Sequence, residues 1–272
     1  MTDQKRTYPN GVPCWVQLEV PDAAEASGFY GSLFGWTFEA AGPGAPGSFL
    51  FARLDGADVG AISRTVGGRG WSSFIACDDI EATSAAVSHA GGTVDVPPDP
   101  GTPFGRGATC TDPQGASFHL WQAAAHPGSQ IVNVPGAWNF SDLRTPDVSA
   151  SLAFYGEVFG WRVDPDLGAG MIRLPGYGDH LAATIDPDIH ERQAFAPPGF
   201  ADVIAGLTPD DGAERASWVI RFTVEDRDAS ASAAERLGGT AVSRVDTEWT
   251  REAVILDPQG ASFIVSQFAP QD

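Results

Sequence analysis

The sequence predicts an α+β fold built from four βαβββ modules, which form two tandem domains of eight strands each. Two observations carry this prediction. Residues 11–36 match residues 136–161 at a constant offset of 125, and the heptapeptide DPQGASF occurs at 112–118 and again at 257–263. Within each half, a run of alternating apolar and polar residues is followed by an Ala/Ser-rich stretch, and this pair occurs twice. A chain of 272 residues also has the length of two domains of about 100 to 150 residues each.

The first module begins with the alternating run WVQLEVPD at 15–22, which has the period of a strand. An amphipathic, Ala-rich stretch follows, in which Asp22 can cap the N-terminus of a helix and a glycine can end it. Further short strands are expected, among them SFLFARLDG and DVGAISR.

The second module repeats this order. WSSFIACDD at 71–79 predicts a strand, Asp79 begins the next helix, and GATCTD and SFHLWQA are later strands. In the second half, WVIRFTVED at 218–226 corresponds to the strand that opens the fourth module.

The repeat predicts a first domain at 1–126 and a second at 127–272, joined by a linker near 123–136. The offset between the halves rises from 125 at Trp161 to 147 at Trp218, so the second domain contains an insertion near 186–216. The insertion is rich in Pro, Gly and acidic residues, which favours a surface loop over a lid.

Composition narrows the function classes. The formal charge of −19 disfavours nucleic acid and anionic membranes as partners, and it attracts cationic small molecules. The three cysteines show no CxxC spacing, which argues against a disulfide framework and a thiolate metal site. The sequence has neither a long apolar run nor a signal-like N-terminus, so we expect a cytoplasmic protein. Because one chain contains all four modules, we expect a monomer or a weak homodimer.

The placement of FYGSLFGW after the first strand and DPQGASF before a last strand resembles the vicinal oxygen chelate superfamily, which includes glyoxalase I, extradiol dioxygenases and bleomycin-resistance proteins. The resemblance extends over almost the whole chain. More narrowly, the chain looks like two-domain actinobacterial members described as glyoxalase-like or as hydroxylases. It implies that paired modules close an eight-stranded cup that binds small molecules, and that catalytic members hold a divalent metal there.

The resemblance also implies where metal ligands would stand. On the first strands of the modules these positions are Trp15, Trp71, Phe140 and Trp218, none of which binds a metal. On the module-ending strands they are Gly60 or Ala61, His119, Ala182 or Ala183, and Ile264. Only His119 is a possible ligand, so we expect no metal and no cofactor. A rearranged site that uses Gln17, Glu19 or His119 stays open.

Strand alternation places Trp15, Gln17 and Glu19 on one face of their strand, and Ser117, His119 and Trp121 on one face of theirs. The resemblance implies that both sets look into the cup of the first domain. Tryptophans with a few polar groups are typical of a small-molecule pocket, although tryptophans on strands also pack in cores. The candidate proton carriers are His119 and Glu19. The predicted ligand-binding residues are Trp15, Gln17, Trp71, Ser73, His119 and Trp121 in the first domain, and Phe140, Asp142 and Trp218 in the second.

Three functions are compatible with these features. The leading hypothesis is a metal-independent protein that binds a flat aromatic, cationic natural product or biosynthetic intermediate, as drug-sequestering relatives of the same fold do. The alternative is an enzyme of this fold, namely a glyoxalase-like lyase, a hydroxylase or a cyclase. The third is an interaction protein without a small ligand. The sequence does not decide whether the chain is an enzyme.

Overall fold

The computed structural model describes residues 5–42, 49–68, 70–167 and 170–270. The first half folds into two βαβββ modules in the predicted order. The first module contains β1 (Pro13–Val20), α1 (Ala23–Phe34), β2 (Thr37–Ala40), β3 (Phe49–Leu54) and β4 (Ala57–Arg64). The second contains β5 (Gly70–Ala76), α2 (Ile80–His89), β6 (Thr93–Val96), β7 (Gly105–Thr111) and β8 (Ser117–Ala123).

The second half repeats the order and adds helices. The third module contains β9 (Trp138–Thr145), α3 (Val148–Phe159), β10 (Arg162–Val163), β11 (Met171–Arg173), α4 (Tyr177–Thr184), α5 (Ile189–Arg192) and β12 (Val203–Pro209). The fourth contains β13 (Ser217–Thr223), α6 (Arg227–Arg236), β14 (Thr240–Asp246), β15 (Thr250–Leu256) and β16 (Ser262–Phe268). No helix in these described parts of the chain is long and apolar enough to span a membrane.

Each half forms one mixed sheet of eight strands. The strand order is β2-β3-β4-β1-β5-β8-β7-β6 in the first sheet and β10-β11-β12-β9-β13-β16-β15-β14 in the second. In every module the opening strand pairs in parallel with the closing strand, and the remaining pairings within a module are antiparallel. The predicted α+β class with eight strands in each half is confirmed.

An aspartate begins the long helix of every module. Asp22, Asp79, Asp147 and Asp226 all have extended backbones, and their carboxylates accept hydrogen bonds from amides in the first helical turn. Gly35 ends α1 in the left-handed conformation, with φ of 74°. The capping predicted for Asp22 and Asp79 is therefore confirmed.

The insertion differs from the prediction. The range 186–216 was expected to be a surface loop, but it contains α5 and the closing strand β12. Ala182 and Ala183, which were assigned to the closing strand, lie in α4 instead. The residue that occupies the place of Ala61 is Gly206, because Gln17 pairs with Ala61 as Asp142 pairs with Gly206. The prediction missed β12 because its apolar run is short and the surrounding residues are rich in proline and acidic side chains.

Contacts divide the chain into two compact units that do not follow the sequence halves. The first unit comprises Met1–Cys14, Ser73–Gly128 and Ser141–Trp218, and the second comprises Trp15–Ser72, Ser129–Phe140 and Val219–Asp272. The first unit therefore contains most of the second and third modules, and the second unit contains most of the first and fourth. The predicted domains, 1–126 and 127–272, correspond to the two halves of the sequence repeat, whereas each compact unit contains segments of both halves.

In the second unit, a buried chain of hydrogen bonds joins the Phe-Tyr-Gly helix to the Asp-Pro-Gln-Gly turn. Trp71 Nε1 donates to Tyr30 Oη at 3.0 Å, and Tyr30 Oη donates to Asp257 Oδ2 at 3.0 Å. The other carboxylate oxygen, Oδ1, accepts the amides of Gln259 and Ala261 at 2.9 and 2.8 Å. One carboxylate thus fixes the turn before β16 and the helix of the first module.

The first unit contains the same chain of bonds. Trp218 Nε1 donates to Tyr155 Oη at 3.1 Å, and Tyr155 Oη donates to Asp112 Oδ2 at 3.0 Å. Asp112 Oδ1 accepts the amides of Gln114 and Ala116. Burial, and secondly the Asp112 carboxylate, raise the pKa of Tyr155 well above its usual value, so it stays a hydroxyl donor. Burial also raises the pKa of the Asp112 carboxyl.

Tyr155→Phe is expected to lower the free energy of unfolding by about 1 to 3 kcal/mol, because it leaves the Asp112 oxygen and the Trp218 N–H buried without this partner. Urea unfolding of the wild type and variant measures the loss. In a double-mutant cycle with Asp112→Ala, the Tyr155→Phe step should cost less than it does alone. Equal losses in both backgrounds would show that the hydrogen bond to Asp112 contributes nothing.

Candidate functional site

In the second unit, the predicted residues Trp15, Gln17 and Glu19 share the face of β1 opposite its core residues. Gln17 Nε2 donates to Ser63 Oγ on β4 at 3.1 Å. The Trp15 ring meets Phe51 of β3 edge to face, with 6.2 Å between ring centres. Strand alternation therefore placed these three residues correctly relative to one another.

In the first unit, the predicted His119 and Trp121 of β8 share a face with Phe74 of β5. The His119 and Phe74 rings are stacked, with 4.3 Å between centres and 14° between planes. Thr109 Oγ1 lies 3.1 Å from His119 Nδ1 and fixes the rotation of the imidazole. Trp121 meets Phe74 edge to face at 6.3 Å and donates its N–H to the carbonyl of His126 at 2.9 Å. These contacts form an aromatic surface in which Phe74 is buried and His119 and Trp121 are half-buried, and we call it the His119 face.

Glycine on β7 creates the space for Trp121. A Cβ added at Gly105 would lie 2.6 Å from the Trp121 ring, closer than any side chain tolerates. Gly107 pairs directly with Trp121 across the two strands. The position of the indole therefore depends on the absence of a side chain at Gly105.

Three predicted ligand residues, Trp71, Ser73 and Trp218, lie on the buried side of their strands, and a ligand-binding role for them stays a prediction. Trp71 and Trp218 are 8% and 9% exposed, and both donate to the buried tyrosines described above. Ser73 is buried and donates to Ser141 Oγ at 2.6 Å.

Two acidic residues stand at the ends of these strands, Asp78-Asp79 and Glu225-Asp226, and the second of each pair caps the helix. Trp15 lies seven residues before its capping aspartate, Asp22, and the residues seven before Asp79 and Asp226 are Ser72 and Val219. Since side chains alternate along a strand, a one-residue error moves every side chain to the opposite face.

Phe74, which the sequence prediction missed, lies two residues after Ser72 and therefore on the same face of β5. It pairs with His119 of β8. Thr109, also missed, could not be found this way. Its contact with His119 depends on the register between β7 and β8, in which the two residues are direct partners.

In the third module, Asp142 and Arg144 are neighbours on β9. Arg144 Nε lies 3.9 Å from Asp142 Oδ2, and Thr208 Oγ1 donates to the same oxygen at 2.9 Å. Asp142 is buried opposite Gly206, where an added Cβ would overlap its Oδ1. Phe140, the remaining predicted residue, is half-buried in β9 and belongs to the second unit.

The donors do not fit the metal site that the resemblance implies for catalytic members. Across residues 5–42, 49–68, 70–167 and 170–270, no three His, Cys, Asp or Glu side chains come together. His119 is stacked on Phe74 and bonded through Nδ1 to Thr109, and its counterpart in the fourth module is Ile264. The first-strand positions hold Trp15, Ser72, Phe140 and Val219.

Gly206→Ala is expected to destabilise the protein by about 1 to 3 kcal/mol, because the new methyl group would force the buried Asp142 carboxylate away from Thr208. Thermal or urea unfolding measures the loss. Gly212→Ala is the control, since a Cβ there makes only ordinary contact with its surroundings. Equal stability of the two variants would contradict the packing described for Asp142.

Comparison with known families gives two matches. Residues 14–120 match the model described as the glyoxalase, bleomycin resistance protein and dioxygenase superfamily. Residues 140–266 match the glyoxalase-like domain. The two matches lie in the two duplicated halves of the sequence.

Full-length relatives are also found. The anthracycline biosynthesis protein DnrV of Streptomyces peucetius is 32% identical over 277 residues, which cover 95% of this chain and 94% of that protein. The protein named "Putative glyoxylase CFP32" of Mycobacterium bovis is 33% identical over 277 residues, covering 98% and 99%.

Solved structures share the fold at low sequence identity. The Mn(II)-bound glyoxalase from Novosphingobium aromaticivorans has a TM-score of 0.62 and 16% identity, with 95% of this chain and 83% of that chain covered. The 2,3-dioxygenase LapB from Pseudomonas sp. KL28 has a TM-score of 0.58 and 15% identity, covering 96% and 97%.

Proposed function

We propose that this chain binds a flat aromatic small molecule without a metal. The chain belongs to the glyoxalase, bleomycin resistance protein and dioxygenase superfamily. The observation that carries this proposal is the stacked pair of His119 and Phe74 beside Trp121. The ring system of the ligand would lie against this His119 face.

The chemistry of the His119 face favours a planar ligand. Each aromatic contact contributes about 0.5 to 1.5 kcal/mol beyond simple burial. His119 and Trp121 are half-buried, so part of each ring remains available to a partner. The Thr109 hydroxyl holds the imidazole in one orientation, which reduces the entropy lost when a ligand stacks on it.

Two further observations narrow the ligand class. The formal charge of −19 favours a ligand that carries a positive charge, such as an amine. DnrV, which matches nearly the full length of the chain, is named for anthracycline biosynthesis. Both support a cationic aromatic natural product or biosynthetic intermediate, which the protein would sequester or hold for its pathway.

A second candidate is an enzyme of the same fold that converts its ligand. The Thr109 contact favours it, because an imidazole held in one orientation can transfer a proton to a bound substrate near neutral pH. The relative named as a glyoxylase supports a lyase. Glu19, the other predicted proton carrier, belongs to the second unit, and its role stays a prediction.

Calorimetric titration of chelator-treated protein with doxorubicin, a cationic polycyclic aromatic probe, tests the binding proposal. We expect saturable binding, and Trp121→Ala should weaken it by about 2- to 10-fold through loss of one aromatic contact. Phe195→Ala is the control, because this exposed phenylalanine lies in the insertion and belongs to none of the strands of the His119 face. No saturable binding, or equal losses in both variants, would contradict the proposal.

His119→Gln separates the binder from the enzyme. A binding protein should lose only the affinity contributed by one stacked ring and one hydrogen bond. An enzyme that uses the imidazole as its acid or base should lose turnover by about 10² to 10⁴. The assay is conversion of the hemithioacetal of methylglyoxal and glutathione. Turnover that disappears in His119→Gln would favour the lyase over the binding protein.

A further inference from the structure

The fourth module presents a polar face on β13, β15 and β16, within the second unit. Strand pairing places Arg221 beside Ile264, and Glu252 beside Ser266. Side chains on the opposite side of these strands, such as Phe222, belong to the core. The polar face is therefore the counterpart, in the fourth module, of the His119 face in the second.

Equivalent strand registers allow the two faces to be compared position by position. Thr109 pairs with His119 as Val254 pairs with Ile264, and Gly107 pairs with Trp121 as Glu252 pairs with Ser266. Three positions of the second module's face are thus occupied by charged and hydroxyl groups, while His119 and Thr109 are replaced by the apolar Ile264 and Val254. The replacements are Phe74 by Arg221, Gly107 by Glu252 and Trp121 by Ser266.

Glu252 is the centre of this polar face. Its Oε1 accepts hydrogen bonds from Arg221 Nη1, from Thr250 Oγ1 at 3.0 Å and from Ser266 Oγ at 3.3 Å. The Glu252 and Arg221 side chains are only 16% and 19% exposed. All three donors converge on Oε1, so Oε2 is the oxygen that can accept a bond from a ligand.

Thr223 provides an independent sign of a ligand. It lies beside Ser266 on β13, and its Oγ1 is buried without a hydrogen-bond partner among the described residues. A buried hydroxyl without a partner is unfavourable by about 1 to 3 kcal/mol. A hydroxyl group of a bound molecule would satisfy it.

Exposed aromatic rings lie at one end of the same strands. Trp249, in the turn before β15, is 53% exposed, and Phe268, which pairs with Thr250, is 64% exposed. The amide of Ala269 donates to the Trp249 carbonyl at 2.9 Å, which holds the turn against the end of β16. Rings in this position can pack against the C–H groups of a sugar while its hydroxyls reach the polar groups.

The charges decide which ligand suits the site. Arg221 and Glu252 neutralise each other, so a ligand ammonium group would meet a like charge at Arg221, and a carboxylate would meet one at Glu252. Hydroxyl groups both donate and accept, which matches the surrounding donors and acceptors. We propose that this surface, made by Arg221, Thr223, Thr250, Glu252 and Ser266 and called the Glu252 face, binds an uncharged polyhydroxylated ligand, namely a sugar or the sugar part of a glycoside.

Fluorine NMR of fluorotryptophan-labelled protein tests this site. The Trp249 signal is assigned by its loss in Trp249→Phe, and the labelled protein is titrated with the methyl pyranosides of glucose, galactose, mannose and rhamnose. At least one sugar should shift the Trp249 signal in a saturable manner and leave the Trp121 signal unchanged. This readout does not depend on binding of an aromatic ligand at the His119 face.

Two variants make the test specific. Glu252→Gln should weaken sugar binding by about tenfold, because it removes a charged acceptor. Thr223→Val should also weaken it while the protein stays at least as stable to urea, since the lost hydroxyl has no partner among the described residues. The proposal is overturned if none of the four sugars moves the signal. It is equally overturned if only benzyltrimethylammonium or benzoate moves it, or if both variants bind sugar as the wild type does.

Discussion

The hydrogen bond between a buried tyrosine hydroxyl and an aspartate carboxylate organises each unit of this protein. Tyr30 bonds Asp257 in the second unit, and Tyr155 bonds Asp112 in the first. Each aspartate also holds the turn before a closing strand, so the bond connects that strand to the helix of a different module. This explains why both Phe-Tyr-Gly and Asp-Pro-Gln-Gly recur in the sequence, because each motif is the partner of the other.

The Tyr–Asp hydrogen bonds hold each sheet from its core side, so the residues on the opposite face can differ between the two halves of the sequence. The duplicated heptapeptide is followed by His119 in one copy and by Ile264 in the other, both on closing strands held by the same turn. His119 lies beside the aromatic Phe74 and the hydroxyl of Thr109, whereas Ile264 lies beside Arg221 and Val254, with Glu252 paired to Ser266 further along the strand. Duplication therefore preserved the residues that support the strands and changed the residues on the opposite face.

Sequence reasoning recovered the fold because its signals are local: repeats, strand alternation and capping aspartates such as Asp79. It placed His119 and Trp121 on one face because alternation along one strand is reliable. It placed Trp71 on the wrong face of its strand, because the strand ends in two aspartates, Asp78 and Asp79, and only Asp79 caps the helix. Aligning the strand on Asp78 shifts it by one residue, which moves each side chain to the opposite face. The contact between Thr109 and His119 depends on the pairing of two strands, which no single segment encodes.

The central claim is that the aromatic His119 face binds a planar ligand without a metal. The most direct measurement is a crystal structure of chelator-treated protein grown with doxorubicin, together with anomalous data to detect metals. The account predicts density for the ring system against His119 and Trp121, with no metal bound to the imidazole. Ligand density elsewhere on the protein, or a metal held by His119, would contradict it.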